Sequence, residues 1–395
     1  MKPAIPHDHN DLTPSWLSAV LGYQVISCDI GFLEGGVLSD AYKVRSISYQ
    51  NAPADAPTAL VIKIANKIKG LRDFGMMANA YNKELNFFRD LSADVPITVP
   101  RLYGCDTDGS DGAEYFYIVM EDLSTHSRVF DQVNDPPDAA FARKTAIEIA
   151  KLHAKYWNAD VTRLPWVGST DGRYLFSLDP LCRVAKDSWD MFQTLYSKMY
   201  GHDFFSTDDF SAIEAMTNTL CGPRSIEVLD RITAILSSRP KTLLHGDMRA
   251  DNLFRTDPAA GKSVEDSVLT FIDWQLLHAG PPGPDFAQAW FSSLEHDVRQ
   301  NDLVMLAEYH QNLIELNPAA RGYTYDMLIE DYALGCCLWW MALISLGTGA
   351  FPSFETPEGA RSKQLWGRAL GRIRYALTEL GCPALIERLA ADRLA

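Results

Sequence analysis

Leu243-Leu244-His245-Gly246-Asp247-Met248-Arg249-Ala250-Asp251-Asn252-Leu253-Phe254 is the stretch whose reading decides the fold. Farther on comes Thr270-Phe271-Ile272-Asp273-Trp274-Gln275. Each is a short apolar run that ends in an acidic step, and four residues separate Asp247 from Asn252. Gly and Asp favour turns, so His-Gly-Asp alone predicts only a tight turn. An amide at this offset, followed by a carboxylate after a second apolar run, predicts chemistry. A carboxylate such as Asp247 can orient an attacking hydroxyl and accept its proton. The amide oxygen of Asn252 and the carboxylate of Asp273 are the hard oxygen donors that Mg²⁺ prefers.

The same spacing in protein kinases puts a catalytic carboxylate and a metal-binding amide on one loop, with a magnesium carboxylate after a later strand. With His-Gly-Asp where protein kinases have His-Arg-Asp, the sequence resembles the aminoglycoside phosphotransferase and choline kinase group. The Asp273-Trp274-Gln275 ending is most similar to the ecdysteroid-kinase-like branch. The resemblance implies an α+β, two-lobed protein-kinase-like fold, with a small β-rich N-terminal lobe and a larger, mainly helical C-terminal lobe. It implies ATP and Mg²⁺ as cofactors, Asp247 as the catalytic residue, and Asn252 and Asp273 as metal ligands.

A chain of 395 residues has room for two domains, and 47% hydrophobic against 22% charged residues supports a sizeable core. A net charge of −15 argues against nucleic acid or an anionic membrane as partner, because phosphate contacts need clustered Lys and Arg. ATP needs only a few local cations. Cys28, Cys105, Cys182, Cys221, Cys336, Cys337 and Cys382 form no Cys-x-x-Cys pair and no zinc spacing, which suggests a reducing compartment. The N-terminus has no apolar signal core, so a cytoplasmic protein is expected. The apolar run Tyr332 to Gly347 follows Glu330-Asp331 and reads as a buried helix.

In chain order, Thr13-Pro14 is the start signal of a helix ending near Leu21. Tyr23 to Leu33 and Ala41 to Gln50 read as strands around Glu34-Gly35-Gly36-Val37-Leu38-Ser39-Asp40. By itself that turn is an ordinary hairpin. The resemblance implies a loop over the nucleotide, with Gly35, Gly36 and Ser39 as its contacts. Ala59 to Ala65 is a strand that puts Val61, Lys63 and Ala65 on one face. A Lys in mid-strand needs a partner. In the helix expected over Met77 to Leu91, Met77, Tyr81, Glu84, Phe88 and Leu91 share a stripe, so Glu84 is the expected partner, and the resemblance implies Lys63 as the phosphate contact. Asp73-Phe74-Gly75 spells the protein-kinase magnesium motif but lies upstream of this helix, and reads as a linker.

Two strands then flank a polar turn over Asp106 to Glu114 and end at Glu121-Asp122-Leu123. The resemblance makes this the hinge between lobes, where adenine pairs with backbone near Glu121 and Leu123. The domain division expected is 1–122 as nucleotide-binding lobe and 123–395 as catalytic and acceptor-binding lobe. Residues 158–240, rich in aromatic and acidic side chains, form the insertion that helps shape the acceptor site. His153 and His245 read as support for the loop. Asp285, after Gly280-Pro281-Pro282-Gly283-Pro284, is placed to cap the next helix, whose Trp290 and Phe291 face the acceptor.

The reaction expected is transfer of the ATP γ-phosphoryl group to a hydroxyl of a small molecule, with an amphipathic or apolar alcohol favoured by the aromatic bias. A monomer or homodimer is expected. One alternative is a catalytically silent nucleotide-binding scaffold of the same fold. Another is a metal-dependent hydrolase built on Asp247, Asp251 and Asp273, which needs no Lys63.

Overall fold

The computed structural model describes residues 2–33, 38–109, 114–158, 161–164, 166–167, 179–205, 211–258, 263–351 and 359–391. The chain forms two compact units, Met1–Val129 with Leu253–Leu277, and Phe130–Asn252 with His278–Ala395.

In the first unit, Thr13 Oγ1 accepts the Trp16 N–H at 3.2 Å and starts helix α1 (Pro14–Leu21). Strands β1 (Gln24–Leu33), β2 (Ser39–Gln50) and β3 (Leu60–Ala65) follow. Helices α2 (Lys69–Met77) and α3 (Ala80–Asn86) separate them from β4 (Leu102–Thr107) and β5 (Phe116–Glu121). The strands form one antiparallel sheet in the order β1-β2-β3-β5-β4. Strand alternation buries Leu60, Ile62 and Ile64 against Trp16 and Leu17 of α1. Lys63 therefore faces the other way, towards α3.

Two local readings change here. The expected linker Asp73-Phe74-Gly75 lies inside α2. The single helix expected over Met77 to Leu91 is broken at Asn79, whose φ of +53° is left-handed, and it closes in a π-helical turn over Phe87–Leu91. Met77 is 62% exposed and off the stripe, whereas Tyr81, Glu84, Phe88 and Leu91 are buried on it. The unit also differs from a cut at residue 122. Strand Leu253–Arg255 pairs with both Arg128–Val129 and Leu269–Phe271, and the Phe271 N–H donates to Thr98 O at 2.9 Å. Those backbone bonds draw 253–277 into the unit that holds the large sheet.

The second unit is helical. Asp138 caps α4 (Ala139–Lys155), accepting the Phe141 N–H at 2.9 Å. Then come α5 (Asp179–Tyr200), α6 (Ser211–Leu220) and α7 (Ser225–Ser238). Strand Thr242–Leu244 pairs with His278–Gly280. After it come α8 (Gly283–Ser293), α9 (His296–Arg299), α10 (Asp302–Leu316), α11 (Tyr325–Ala350), α12 (Ala360–Glu379) and α13 (Cys382–Ala391). Cys336, Cys337, Trp340 and Met341 of α11 are fully buried. Tyr325–Gly349 is long and apolar enough to cross a membrane, and 83% of its most apolar window is buried inside the protein, as a central core helix requires. Helix α8 crosses α11 backbone to backbone. A Cβ at Gly283 would lie 2.5 Å from Tyr332 N, and one at Gly335 would lie 2.8 Å from Pro284 Cα.

Several aromatic residues of the 158–240 stretch enter this core. Trp189, Phe192 and Phe204 pack on Trp340, with the Phe204 ring stacked at 4.9 Å. Trp290 and Phe291 are also core, 2% and 1% exposed, against Tyr332 and Trp339.

One buried ion pair fastens α11. Arg239 Nε donates to Asp331 Oδ1 at 3.0 Å and the Tyr323 hydroxyl donates to Oδ2 at 2.8 Å. Burial pushes the Asp331 carboxyl up to about 6, although Tyr323 and Arg239 pull it down. Arg239→Ala leaves this buried carboxylate short of a partner and is expected to cost about 2 kcal/mol. Urea unfolding measures it; a midpoint equal to that of the wild type would remove the pair from the stability of this unit.

Candidate active site

The first cluster lies wholly in the sheet-bearing unit. Lys63 Nζ donates to Glu84 Oε1 and Oε2, both at 2.7 Å, and to Asp273 Oδ1 at 3.0 Å. Glu84 is fully buried, as a charge inside an apolar stripe must be when it has a partner. Burial pushes the Lys63 ammonium down, but Asp273 and Glu84 together outweigh it and hold it above the ordinary lysine value. Burial raises the Glu84 carboxyl against the opposing pull of Lys63.

Asp273 sits in the left-handed region, at φ +66° and ψ 69°. Asp tolerates that conformation better than most residues, and its neighbours over-determine it. Trp274 stacks on Phe87 with ring centroids 3.8 Å apart and planes 10° apart. Gln275 Nε2 donates to Ser39 Oγ at 2.8 Å, and its side chain also bonds Glu84. Ser39 opens β2 as a 3% exposed residue, so its hydroxyl ties the sheet to the Asp273 turn instead of lying on the turn before it. Gly35 and Gly36 lie outside the described residues. At the expected hinge, Glu121 ends β5 and Leu123 opens a single helical turn. The Glu121 N–H donates to Arg101 O, and Leu123 O accepts from Ser127 N, both at 2.9 Å.

The second cluster lies wholly in the helical unit. Gly246 has φ +80°, a turn that L side chains rarely adopt. It lets the His245 and Gly246 N–H groups both point at the Asp285 carboxylate, each at 2.8 Å. Asp285 was expected to cap α8, but Pro282 holds the cap position and Asp285 lies in the first turn. Its carboxylate serves the loop because two successive peptide N–H groups there have no strand to pair with. His153 Nε2 stands 3.4 Å from Asp285, and the Tyr309 hydroxyl 2.7 Å from His153 Nδ1. Burial raises the Asp285 carboxyl, but His153, His245 and the Gly246 N–H outweigh it and hold it below the usual carboxylate value. His245 Nδ1 accepts the Asp247 N–H at 3.2 Å. His153 and His245 are fully buried supports, as read from the sequence.

Asp247 is held by two amides. Asn252 Nδ2 donates to Asp247 Oδ2 at 3.0 Å and to its backbone carbonyl at 2.8 Å. Gln288 Nε2 donates to Oδ1. Neutral donors orient a carboxylate without adding a full positive charge at each oxygen. Arg249 Nε is farther, 3.6 Å from Oδ2.

The structure thus brings Lys63, Glu84 and Asp273 together, and Asp247 with Asn252. Sequence reasoning missed Gln275 and Gln288 as functional positions. Gln288 lies three residues after Asp285 on α8, so both face the loop; that spacing was the available signal. Each cluster keeps an oxygen donor of the kind Mg²⁺ prefers: Asn252 commits its Nδ2 atom and keeps its amide oxygen, and Asp273 carries a carboxylate. Mg²⁺ takes one or two carboxylates and completes its shell with water and phosphate oxygens, so it needs no dense acidic cluster, and none occurs among the described residues.

The profile of the ecdysteroid kinase-like family matches residues 37–320. The chain belongs to the ecdysteroid kinase-like family. Its fold is the protein-kinase-like α+β fold of small-molecule kinases. A provisionally assigned aminoglycoside phosphotransferase from Ralstonia eutropha superposes with a TM-score of 0.50 at 15% identity, over 95% of this chain and 98% of that one. Choline kinase from Cryptosporidium parvum gives a TM-score of 0.49 at 12% identity, over 95% and 94% of the two chains. No curated protein matches the sequence. For this ecdysteroid kinase-like chain, the two clusters carry the ordered series read from the sequence: lysine, glutamate, loop aspartate, loop asparagine, late aspartate.

Proposed function

We propose that this protein transfers the γ-phosphoryl group of ATP to a hydroxyl of a small amphipathic or apolar molecule. The observation that carries this reading is the Asp247 carboxylate, clamped between the amides of Asn252 and Gln288 on a loop that Asp285 anchors. A carboxylate fixed in this way can orient an acceptor hydroxyl and take its proton as the oxygen attacks. The new bond joins that oxygen to the γ-phosphorus, the bond from phosphorus to the β-γ bridging oxygen breaks, and ADP leaves. Lys63, fixed by Glu84, would hold the α- and β-phosphates. Asn252 and Asp273 would hold Mg²⁺, which neutralises phosphate charge in such transfers. The Leu123 N–H and the Glu121 carbonyl are the backbone groups proposed for adenine, since their opposite members are used within the chain.

The test is Mg·ATP consumption across sterols, hydroxy acids, choline, sugars and aminoglycosides, with Lys63→Ala beside the wild type. Loss of a charged phosphate contact is expected to lower kcat/KM by about 10–100-fold. Activity that survives Lys63→Ala unchanged would favour the hydrolase built on Asp247, Asp251 and Asp273. ATP binding without turnover of any alcohol would favour the silent scaffold.

A further inference from the structure

Helix α12 is a basic element in an acidic chain. Between Ala360 and Glu379 it carries Arg361, Lys363, Arg368, Arg372 and Arg374 against Glu379 alone, in a chain of net charge −15. The arginines are committed within the helical unit. Arg361 pairs with Asp131 at 3.0 Å, and Arg368 with Glu295 at 2.6 Å. Arg372 takes Glu295 at 2.5 Å, and Arg374 donates to Phe204 O at 2.6 Å. Lys363 differs. Its side chain is half-buried, its ammonium lies 5.6 Å over the Tyr200 ring, and among the described residues no carboxylate reaches it.

Lys363 opens on a groove of about 780 Å³, lined also by Val133, Asn134, Tyr200, Gly367 and Arg368 and, among the described residues, by no acidic one. Gly367 lets the helix lie close to the Tyr200 ring, because a Cβ there would come 3.2 Å from it. The Tyr200 hydroxyl donates to Lys363 O at 2.9 Å and fixes the wall. The groove adjoins the Asp247 loop. The N–H of Gln132, next to Val133, donates to Asp251 at 3.4 Å. Arg372 binds Gln132 O at 2.9 Å and Ser292 O at 2.6 Å, and Ser293 Oγ accepts the Ala250 N–H at 2.8 Å.

We infer that this groove binds the far end of the acceptor, and that this end is anionic. The acceptor is an amphipathic alcohol bearing a carboxylate or similar group, with Lys363 on the anion and Tyr200 and Val133 under the apolar body. This rests on the phosphotransferase reading above and narrows it. It sets the protein apart from a kinase for a cationic acceptor, because a second cation beside Lys363 is repelled.

The experiment uses three alcohols of one chain length on the full chain: ω-hydroxydodecanoate, dodecanediol and ω-hydroxydodecyl-trimethylammonium. Calorimetric affinities are expected in that order, with the carboxylate about tenfold tighter than the diol. Lys363→Ala closes the gap and Lys363→Glu reverses it, while ATP affinity and Tm stay at wild-type values. Equal affinities, a gap that survives Lys363→Ala, or no binding of any probe overturns the inference. Turnover of the same probes separates it from the parent reading. Faster phosphorylation of the diol or the ammonium sinks the anionic end and leaves the kinase. Lys363-dependent binding of the carboxylate without phosphoryl transfer keeps the groove and sinks the kinase.

Discussion

Asp247→Asn is expected to lower kcat by about 10²–10⁴-fold, the usual worth of a positioned base, with the Kd for Mg·ATP unchanged. The substitution keeps the size and removes the proton acceptor. It also turns the local hydrogen bonding against itself. Both Asp247 oxygens accept from amide nitrogens, of Asn252 and of Gln288. An amide at position 247 must aim its own NH₂ at one of those donors, so the acceptor hydroxyl loses its orienting group as well as its base. The fold is spared, since the loop hangs from Asp285 through the His245 and Gly246 peptides. Steady-state kinetics with the best alcohol, beside nucleotide binding, checks this. Turnover within about twofold of wild type would be far outside the range expected of a base and would take that role from Asp247.

How much was legible follows from what each residue type must do. Glu84 could be placed because a charge at stripe spacing demands a cation, and the mid-strand Lys63 demanded an acid; the 2.7 Å contacts meet both demands. Asp247 and Asn252 could be placed by their offset. The break at Asn79 could not, because a left-handed Asn leaves the helical spacing of Tyr81, Glu84 and Phe88 intact on its far side. Asp285 was recognised as support but given the wrong partner. An acid in a first turn looks the same in sequence whether it caps its own helix or binds a distant loop. Gln275 and Gln288 were invisible for a related reason. A neutral amide carries no burial penalty large enough to announce a partner, yet each bonds a charged residue of its cluster. Some aromatic residues before the loop went the other way: Trp189, Phe192 and Phe204 pack on Trp340, and their number alone does not separate these core rings from Tyr200, which lines a groove.

Asp285→Ala should have the largest effect on stability, about 3–5 kcal/mol, the cost of removing one partner from a buried charged network. It strands the His245 and Gly246 N–H groups and the His153 ring nitrogen inside the protein. Unsatisfied buried donors cost about 1–3 kcal/mol each, so the sum is in that range even after partial relaxation. Turnover falls too, because the loop that holds Asp247 loses its anchor. The pH dependence has a definite sign. The folded Asp285 carboxyl titrates below its ordinary value, because His153, His245 and the Gly246 N–H outweigh burial. A depressed acid contributes stability that is complete above the unfolded value, about 3.9, and is lost as pH falls through the folded one. The part of the stability gap between wild type and Asp285→Ala that follows Asp285 ionisation should therefore be complete above about pH 5 and be lost below about pH 4. Urea unfolding at several pH values measures the gap. A gap that does not narrow below about pH 4 would mean that some group other than this carboxylate controls the loop.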